Sequence, residues 1–479
     1  MLLRDLLTMN ALLINPPTGR YMRQDRSQVP LDTRVAEPPR PPMDLASIAA
    51  VMEREGVTCR IRDYPMEQKD WDDYAADLID FKPEVVIIST TTPTVSGDLK
   101  AAEIAKQKDP KIRVIAKGAY FLVFDKEILA QYQSLDLVIR GEPELSVRDI
   151  VQGTPYAQIL GITFRSGTEI IRNEDRPFNE NLDDLPFPAR HLLNNQLYLT
   201  PDTREPIAFI ESSRGCFNRC VFCAARLVSG NKMRMRCVDS VFTELKKCVH
   251  DFGFRNFFFL ADTFTWHKEW VVDLCKKIVN EGLQIRWGAN SRIDSLDEER
   301  LSWMKNAGCY VIGFGAESAS QYMLDKMHKK TCVKDIESVV DLCRRYGIES
   351  YLMFVIGLPW ETAETIQQTV RFVKKTKASF IEVNLAYPLP GTDFYIMAKE
   401  NCLFNEDELI GSDHSTPLVR SFSLDSKELD RARKKVLRAF YLRPAYMGSR
   451  IAKIRSWRVA WAYCVYAVRL VKNILWGCR

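Results

Sequence analysis

Glu211-Ser-Ser-Arg-Gly-Cys216-Phe-Asn-Arg-Cys220-Val-Phe-Cys223 sets three thiols on one short loop, at spacings of four and then three residues. An apolar run over 207–210 leads into it and reads as a buried strand. Thiolates are soft ligands for zinc or for iron–sulfur centres. A cluster of four irons held by only three cysteines keeps one iron without a protein ligand, and that iron is a place for chemistry. Structural zinc takes four protein ligands, and here the fourth candidate is Cys237, in a basic stretch with no partnering pair.

Outward from the loop, strand-like and helical stretches alternate. Downstream, apolar runs at 257–260, 285–289, 311–315, 351–356 and 380–385 each follow a helical segment. Polar or Gly-Pro groups close them: Ala261-Asp262-Thr263, Asn290-Ser291-Arg292, Gly315-Ala-Glu317-Ser318, Gly357-Leu-Pro359-Trp-Glu361 and Pro388-Leu-Pro390-Gly391. Upstream, the run 11–15 ends at Pro16-Pro17, a proline-rich link covers 37–42, and a helix over 43–55 stops at Gly56. Strands at 57–62, 84–89, 113–116 and 135–139 follow with helices between them. This predicts a doubly wound parallel (Rossmann-like) sheet with its ligand crevice at the strand carboxyl ends. At those ends stand Thr90-Thr91-Thr92, Lys117-Gly118 and Gly141-Glu142. A hairpin around 165–167 lies in a connector that ends in Asp183-Asp-Leu-Pro-Phe-Pro188.

Length implies two or three domains: 479 residues exceed one ordinary core. Hydrophobic content of 46% with 27% charged residues excludes a disordered chain, and a net charge of +5 singles out no partner. Ten of the thirteen cysteines lie outside the loop without framework spacing, and Arg4 and Asp5 interrupt any leader-like core, so reduced thiols in the cytoplasm are expected.

The C-x-x-x-C-x-x-C spacing with an aromatic before its last cysteine, preceded by Ser-Arg-Gly, resembles the cluster loop of the radical S-adenosylmethionine (SAM) enzymes. From about residue 10 to 400 the order of segments is similar to the subgroup with an N-terminal cobalamin-binding-type domain. The resemblance implies a Rossmann-like domain over 9–152, a connector over 153–200, a partial (βα)6 TIM-type barrel over 201–402 and a C-terminal helical region over 403–479. It also implies a 4Fe-4S cluster on Cys216, Cys220 and Cys223. Around it, Phe222 would set its backbone by the adenine of SAM, Arg292 would lie near the methionyl carboxylate, and Glu317 and Ser318 near the amino group or ribose. Asp262, Gly357 and Pro359 complete that set. As alternatives, Asp262 and Arg292 form a rim ion pair and Glu317 caps a helix. Thr90, Thr91, Thr92, Gly118, Gly141 and Glu142 are the candidate cobalamin contacts. Where the family often carries D-x-H-x-x-G, this chain has Asp63-Tyr-Pro-Met-Glu-Gln, and no histidine precedes His191, so no lower histidine ligand is expected from this domain.

The implied reaction is reductive cleavage of SAM and hydrogen abstraction from an unactivated carbon, with cobalamin-dependent methyl transfer to a lipid or secondary metabolite. An electron donor such as ferredoxin or flavodoxin is the implied partner. The alternatives are a cobalamin-independent cyclisation or coupling, and a non-catalytic zinc protein whose basic tail binds nucleic acid. That tail, 443–479, holds eight Lys or Arg and no acidic residue. Its ten-residue uncharged run 459–468, with Trp and Tyr among the flanking cations, is too short to span a bilayer and suits an interfacial helix at the inner face of the membrane. Packing on the barrel mouth and nucleic-acid binding are the alternatives.

Overall fold

The computed structural model describes residues 9–23, 28–31, 37–451 and 467–468. They divide into two compact units, the first built mainly from 40–197 and the second from 198–226 and 230 onward.

The first unit holds seven strands: β1 (Asn10–Asn15), β2 (Thr58–Asp63), β3 (Val85–Ser89), β4 (Arg113–Lys117), β5 (Leu137–Ile139), β6 (Ile162–Ser166) and β7 (Glu169–Arg172). Their order is β2-β1-β3-β4-β5-β6-β7. The first five run parallel. Every residue of β3 is buried, as expected of a strand with both faces covered. Leu13, Ile87 and Ile115 pack against Leu45, Ile48, Ala49 and Met52 of the helix Met43–Arg54. The direction of winding reverses between β1 and β3, and the crevice at that point is where ligands bind in such sheets. The hairpin β6–β7 adds to this sheet antiparallel to β5, so the sheet runs past residue 152 into the stretch read from sequence as connector. Gly167, at φ 63, takes the left-handed position that its two-residue turn requires.

The second unit contains β8 (Ile207–Glu211), the short pair β9 (Ser213–Arg214) and β10 (Arg234–Met235), then β11 (Asn256–Leu260), β12 (Arg286–Ser291), β13 (Cys309–Glu317), β14 (Glu349–Ile356) and β15 (Phe380–Leu385). Six strands form one parallel sheet in the order β15-β14-β13-β12-β11-β8, the partial barrel. Helices Val238–Phe252, Lys268–Asn280, Val333–Arg345 and Ala363–Lys375 bury apolar stripes against its outer face. Phe259, Phe264 and Trp287 meet at centroid distances of 5.0 to 5.4 Å, and Trp287 Nε1 donates to the Ala307 carbonyl at 2.7 Å, so this large side chain is buried without an unsatisfied donor. Gly308, at φ 93, turns the chain into β13, where a Cβ would overlap the Ile285 carbonyl oxygen.

The helix Ser426–Tyr441 lies against the barrel, with the Tyr441 hydroxyl donating to the Ile381 carbonyl at 2.6 Å. Beyond it, Arg443 donates to the carbonyls of Lys374 and Thr376, and Arg450 to the Ser379 carbonyl and the Glu349 carboxylate. Those acceptors flank the amino ends of β14 and β15, opposite the strand ends that carry the cluster loop. The start of the basic tail therefore packs on the floor of the barrel, not its mouth. Most of the 459–468 run lies outside the described residues; Ala467 and Val468 are helical and exposed. Among the described residues no helix is long and apolar enough to cross a membrane.

Candidate functional site

The cluster loop leaves the carboxyl end of β8 and is tied down by backbone bonds from several sides. β9 pairs with β10, Cys216 N donates to the Gly230 carbonyl at 3.1 Å, and Val221 N donates to the Met327 carbonyl at 3.2 Å. The Val221 carbonyl in turn accepts from Phe394 N at 2.9 Å. The loop is thus held by the chain that follows β13 and by the chain that follows β15. Cys216, Cys220 and Cys223 are half-buried and none is in a disulfide. Asn218 Nδ2 donates to Cys216 Sγ and Ala225 N to Cys223 Sγ, both at 3.4 Å, and such donors favour thiolate and ease reduction of a bound centre. Burial pushes the Cys220 thiol up to about 11, an effect that Lys329 opposes.

This donor set fits an iron–sulfur cluster. Three half-buried thiols on one loop, two of them already accepting hydrogen bonds, are the soft donors such a cluster takes. The fourth thiol needed for zinc is engaged elsewhere: Cys237 caps the helix Val238–Phe252, its Sγ accepting from Ser240 N at 3.3 Å.

Arg292 is 6% exposed and lies within electrostatic reach of Cys216 and Cys220. Its guanidinium grips Asp294 through two bonds at 2.9 and 2.7 Å and donates to the Lys329 carbonyl at 3.1 Å. The rim ion pair considered between Asp262 and Arg292 is replaced by this i, i+2 pair; Asp262 is half-buried just past β11. Glu317 ends β13 in the left-handed region, φ 59, and accepts from Lys329 Nζ at 2.7 Å, so it does not cap the next helix. Ser318 is buried, its hydroxyl accepting from Ser320 N at 3.1 Å. Phe222 is half-buried on the loop itself.

Gly357, at φ 104, follows β14; a Cβ there would sit 3.2 Å from Leu429 Cδ1. Its N–H faces Glu361 Oε2 at 3.4 Å, and Pro359 accepts from Phe422 N at 2.8 Å. Two groups that the sequence reading did not assign stand out here. Lys329 sits in a run, His328-Lys-Lys330, that has no recognisable spacing. Glu361 is 2% exposed and pushed up to about 7 by burial, with the Thr365 hydroxyl and Gly357 N holding it down; its bonds brace the turn after β14. The chain thus brings Arg292, Glu317 and Ser318 to the cluster loop's side of the barrel, with Gly357 and Pro359 on the adjacent strand end.

In the first unit, Thr90 bonds to the Lys117 carbonyl through both its N–H (2.9 Å) and its hydroxyl (3.0 Å). Thr91 is engaged with Thr94 and Asp98. Thr92 differs, because its N–H donates to Gln28 while its fully buried Oγ1 has no partner among the described residues. At Gly118, φ 154, a Cβ would lie 2.8 Å from the Thr90 carbonyl oxygen and closer still to its hydroxyl. Gly141, φ 73, faces open space. Glu142 accepts from Asn179 N at 3.0 Å, which gives it a bracing place in the fold. The orphaned Thr92 hydroxyl, past β3 beside the β1/β3 switch point, and the open space at Gly141, past β5, fit a large flat ligand with polar edges, while Gly118 leaves the room that Thr90 takes. After β2, Tyr64 is fully buried and its hydroxyl donates to Asp77, so the stretch in place of the histidine motif is committed to the unit's own packing.

Residues 210–373 match the Radical SAM superfamily and residues 32–151 the B12 binding domain. An uncharacterized methyltransferase of Pyrococcus horikoshii is 30% identical over 440 residues, 91% of this chain and 93% of that protein. The anaerobic magnesium-protoporphyrin IX monomethyl ester cyclase of Cereibacter sphaeroides is 25% identical over 85% of this chain and 68% of the cyclase. Among solved structures, the cobalamin-dependent SAM radical enzyme OxsB, with aqua-cobalamin and SAM bound, shares the fold with a TM-score of 0.71 at 14% identity, covering 98% of this chain and 72% of that one. Three thiols poised for a cluster on a partial barrel, a B12-type sheet ahead of it, and a relative of this likeness over nearly the whole length make one conclusion: the chain is a radical SAM enzyme, of the family that joins a B12-binding domain to a radical SAM domain.

Proposed function

We propose that this enzyme transfers a methyl group, with cobalamin, to an unactivated carbon of a small molecule. The observation that carries this reading is the presence in one chain of the three-thiol loop and a B12-type crevice whose Thr92 hydroxyl is buried without a partner. When bound, the cluster supplies the electron that cleaves SAM to a 5'-deoxyadenosyl radical, and cobalamin supplies the methyl group. The chain's own part is to hold, orient and shield. Arg292 presents a fixed cation toward the methionyl carboxylate, while Glu317, Ser318 and the half-buried Phe222 shape the pocket beside the loop. Asp262, Gly357 and Pro359 close its adenine side, with the Gly357 backbone turning at a φ that favours glycine. Thr90, Thr91, Gly118, Gly141 and Glu142 shape the corrin crevice around Thr92.

Arg292→Ala or Glu317→Ala is expected to weaken SAM binding by about 1.5 to 3 kcal/mol, the usual effect of losing a charge-assisted bond. That is roughly ten- to a hundredfold in Kd, read by equilibrium binding to the cluster-loaded protein. Unchanged affinity in both variants would remove these residues from the SAM site. Cobalamin-independent cyclisation is the second reading, supported by the likeness to the cyclase; the two part on whether activity needs cobalamin.

The basic, aromatic tail supports contact with an anionic membrane and, through it, a lipid substrate, with a ferredoxin- or flavodoxin-like donor supplying electrons. Because Arg443 and Arg450 are bonded to the barrel floor, the test is removal of 452–479 only. Vesicles rich in anionic lipid should sediment the intact protein and not the shortened one. Part of that binding should fade with salt, at roughly 1 kcal/mol per cation near the surface. Equal sedimentation of both proteins would make the tail structural.

A further inference from the structure

Several independent features converge on one ammonium group. β13 slips register against β14 between Gly315 and Glu317. Glu317 leaves the strand at φ 59, and on the loop opposite it His328 and Lys330, on either side of Lys329, have φ 56 and 55. Backbone of this kind is unfavourable for residues with a Cβ and persists where the surroundings enforce it. Between these positions Lys329 Nζ meets Glu317 Oε1 at 2.7 Å, both side chains 9% exposed. Gly315 makes room for the pair, since a Cβ there would lie 2.8 Å from Lys329 Nζ and nearer still to Glu317 Oε1. The loop is bonded directly to the site. Arg292 holds the Lys329 carbonyl, and the Met327 carbonyl accepts from Val221 N, between Cys220 and Cys223.

A buried ion pair is weak evidence for stability, because desolvation offsets much of the attraction. A pair kept at the cost of three strained residues needs another reason. Its placement supplies one: Lys329 stands on the loop whose Met327 carbonyl accepts from Val221 N, between Cys220 and Cys223, so the ammonium that Glu317 holds is carried next to the cluster loop. We propose that Lys329 is a positioning residue for electron entry, its ammonium held beside Cys220 by Glu317 so that it stabilises the additional electron on the cluster. In that step one electron passes from a low-potential one-electron donor, dithionite in the test, with no bond made or broken and no proton moved. The inference rests on the cluster reading, and iron content separates the failure of one from the failure of the other.

The experiment is a potentiometric titration of the cluster, followed by electron paramagnetic resonance without SAM, in anaerobically reconstituted full-length protein. Lys329→Met should lower the potential and Glu317→Gln should raise it. The double variant, again neutral as a pair, should return toward wild type, and Lys329→Arg should stay near it. Each single change should move the reduced-to-oxidised ratio at fixed poise about tenfold, which is 59 mV for a one-electron couple. A merely structural pair predicts no ordered, opposite shifts. Should Lys329→Met fail to assemble a cluster because Glu317 is stranded, Glu317→Gln alone must still raise the potential. Shifts of the same sign, or none, in variants with full iron overturn the proposal. Wild-type protein without iron overturns the cluster reading instead, and this inference with it.

Discussion

Replacing Cys216, Cys220 and Cys223 together by alanine is expected to abolish iron binding and reduce 5'-deoxyadenosine formation to background, while the protein stays folded. The loss should be complete because among the described residues no other thiols share one loop: Cys237 and Cys332 cap helices, Cys402 stands apart, and Cys59, Cys248, Cys275, Cys309 and Cys343 are buried. Folding should survive because the loop is fastened through its backbone, by the bonds of Cys216 N, Val221 N and the Val221 carbonyl, which alanine keeps. The thiols are only half-buried, so truncating them should change stability by no more than about 1 kcal/mol each. Iron analysis and circular dichroism on the same sample check both halves. Iron retained by the triple variant would place the cluster elsewhere.

The second large effect concerns the B12-type unit. Gly118→Val is expected to cut retention of hydroxocobalamin at least tenfold, with the cluster intact. A side chain at 118 must displace Thr90, whose N–H and hydroxyl both fasten the β3 exit to the Lys117 carbonyl. The shift would carry Thr91 and Thr92 with it. Thr92→Val, which removes the unpartnered hydroxyl and little volume, should weaken binding more mildly. In the wild-type protein the visible spectrum should lack a histidine-coordinated cobalt, because no histidine precedes His191. Exclusion of hydroxocobalamin by wild-type protein with a full cluster would make the unit a packing domain and end the case for methyl transfer.

Much of this was legible in the sequence, for definite reasons. Strands buried on both faces read as unbroken apolar runs, so β3 stood out; the barrel strands stood out by the polar or Gly-Pro groups that close their apolar runs, and the cluster loop declares itself by thiol spacing alone. What stayed hidden was partnership. The sequence holds Asp262, Asp294 and Glu317 near arginine or lysine alike, and only the fold shows that Arg292 takes Asp294 and that Glu317 takes Lys329 across twelve residues. The edge hairpin looked like a connector because β6 and β7 are short and half exposed; their place beside β5 depends on non-local pairing. Nor does sequence show that Glu142, at a strand end, accepts from Asn179, far along the chain.

The central claim is that one chain carries both a SAM-cleaving cluster and cobalamin. The most direct measurement is a single anaerobic incubation of reconstituted full-length protein with SAM, dithionite and hydroxocobalamin, followed by desalting and assay of iron, corrin and 5'-deoxyadenosine. About four irons per chain are expected, three on cysteines and one open. Corrin should be retained with the protein, and 5'-deoxyadenosine should form and disappear in the triple cysteine variant. Zinc in place of iron, with no 5'-deoxyadenosine formed, would contradict the central claim.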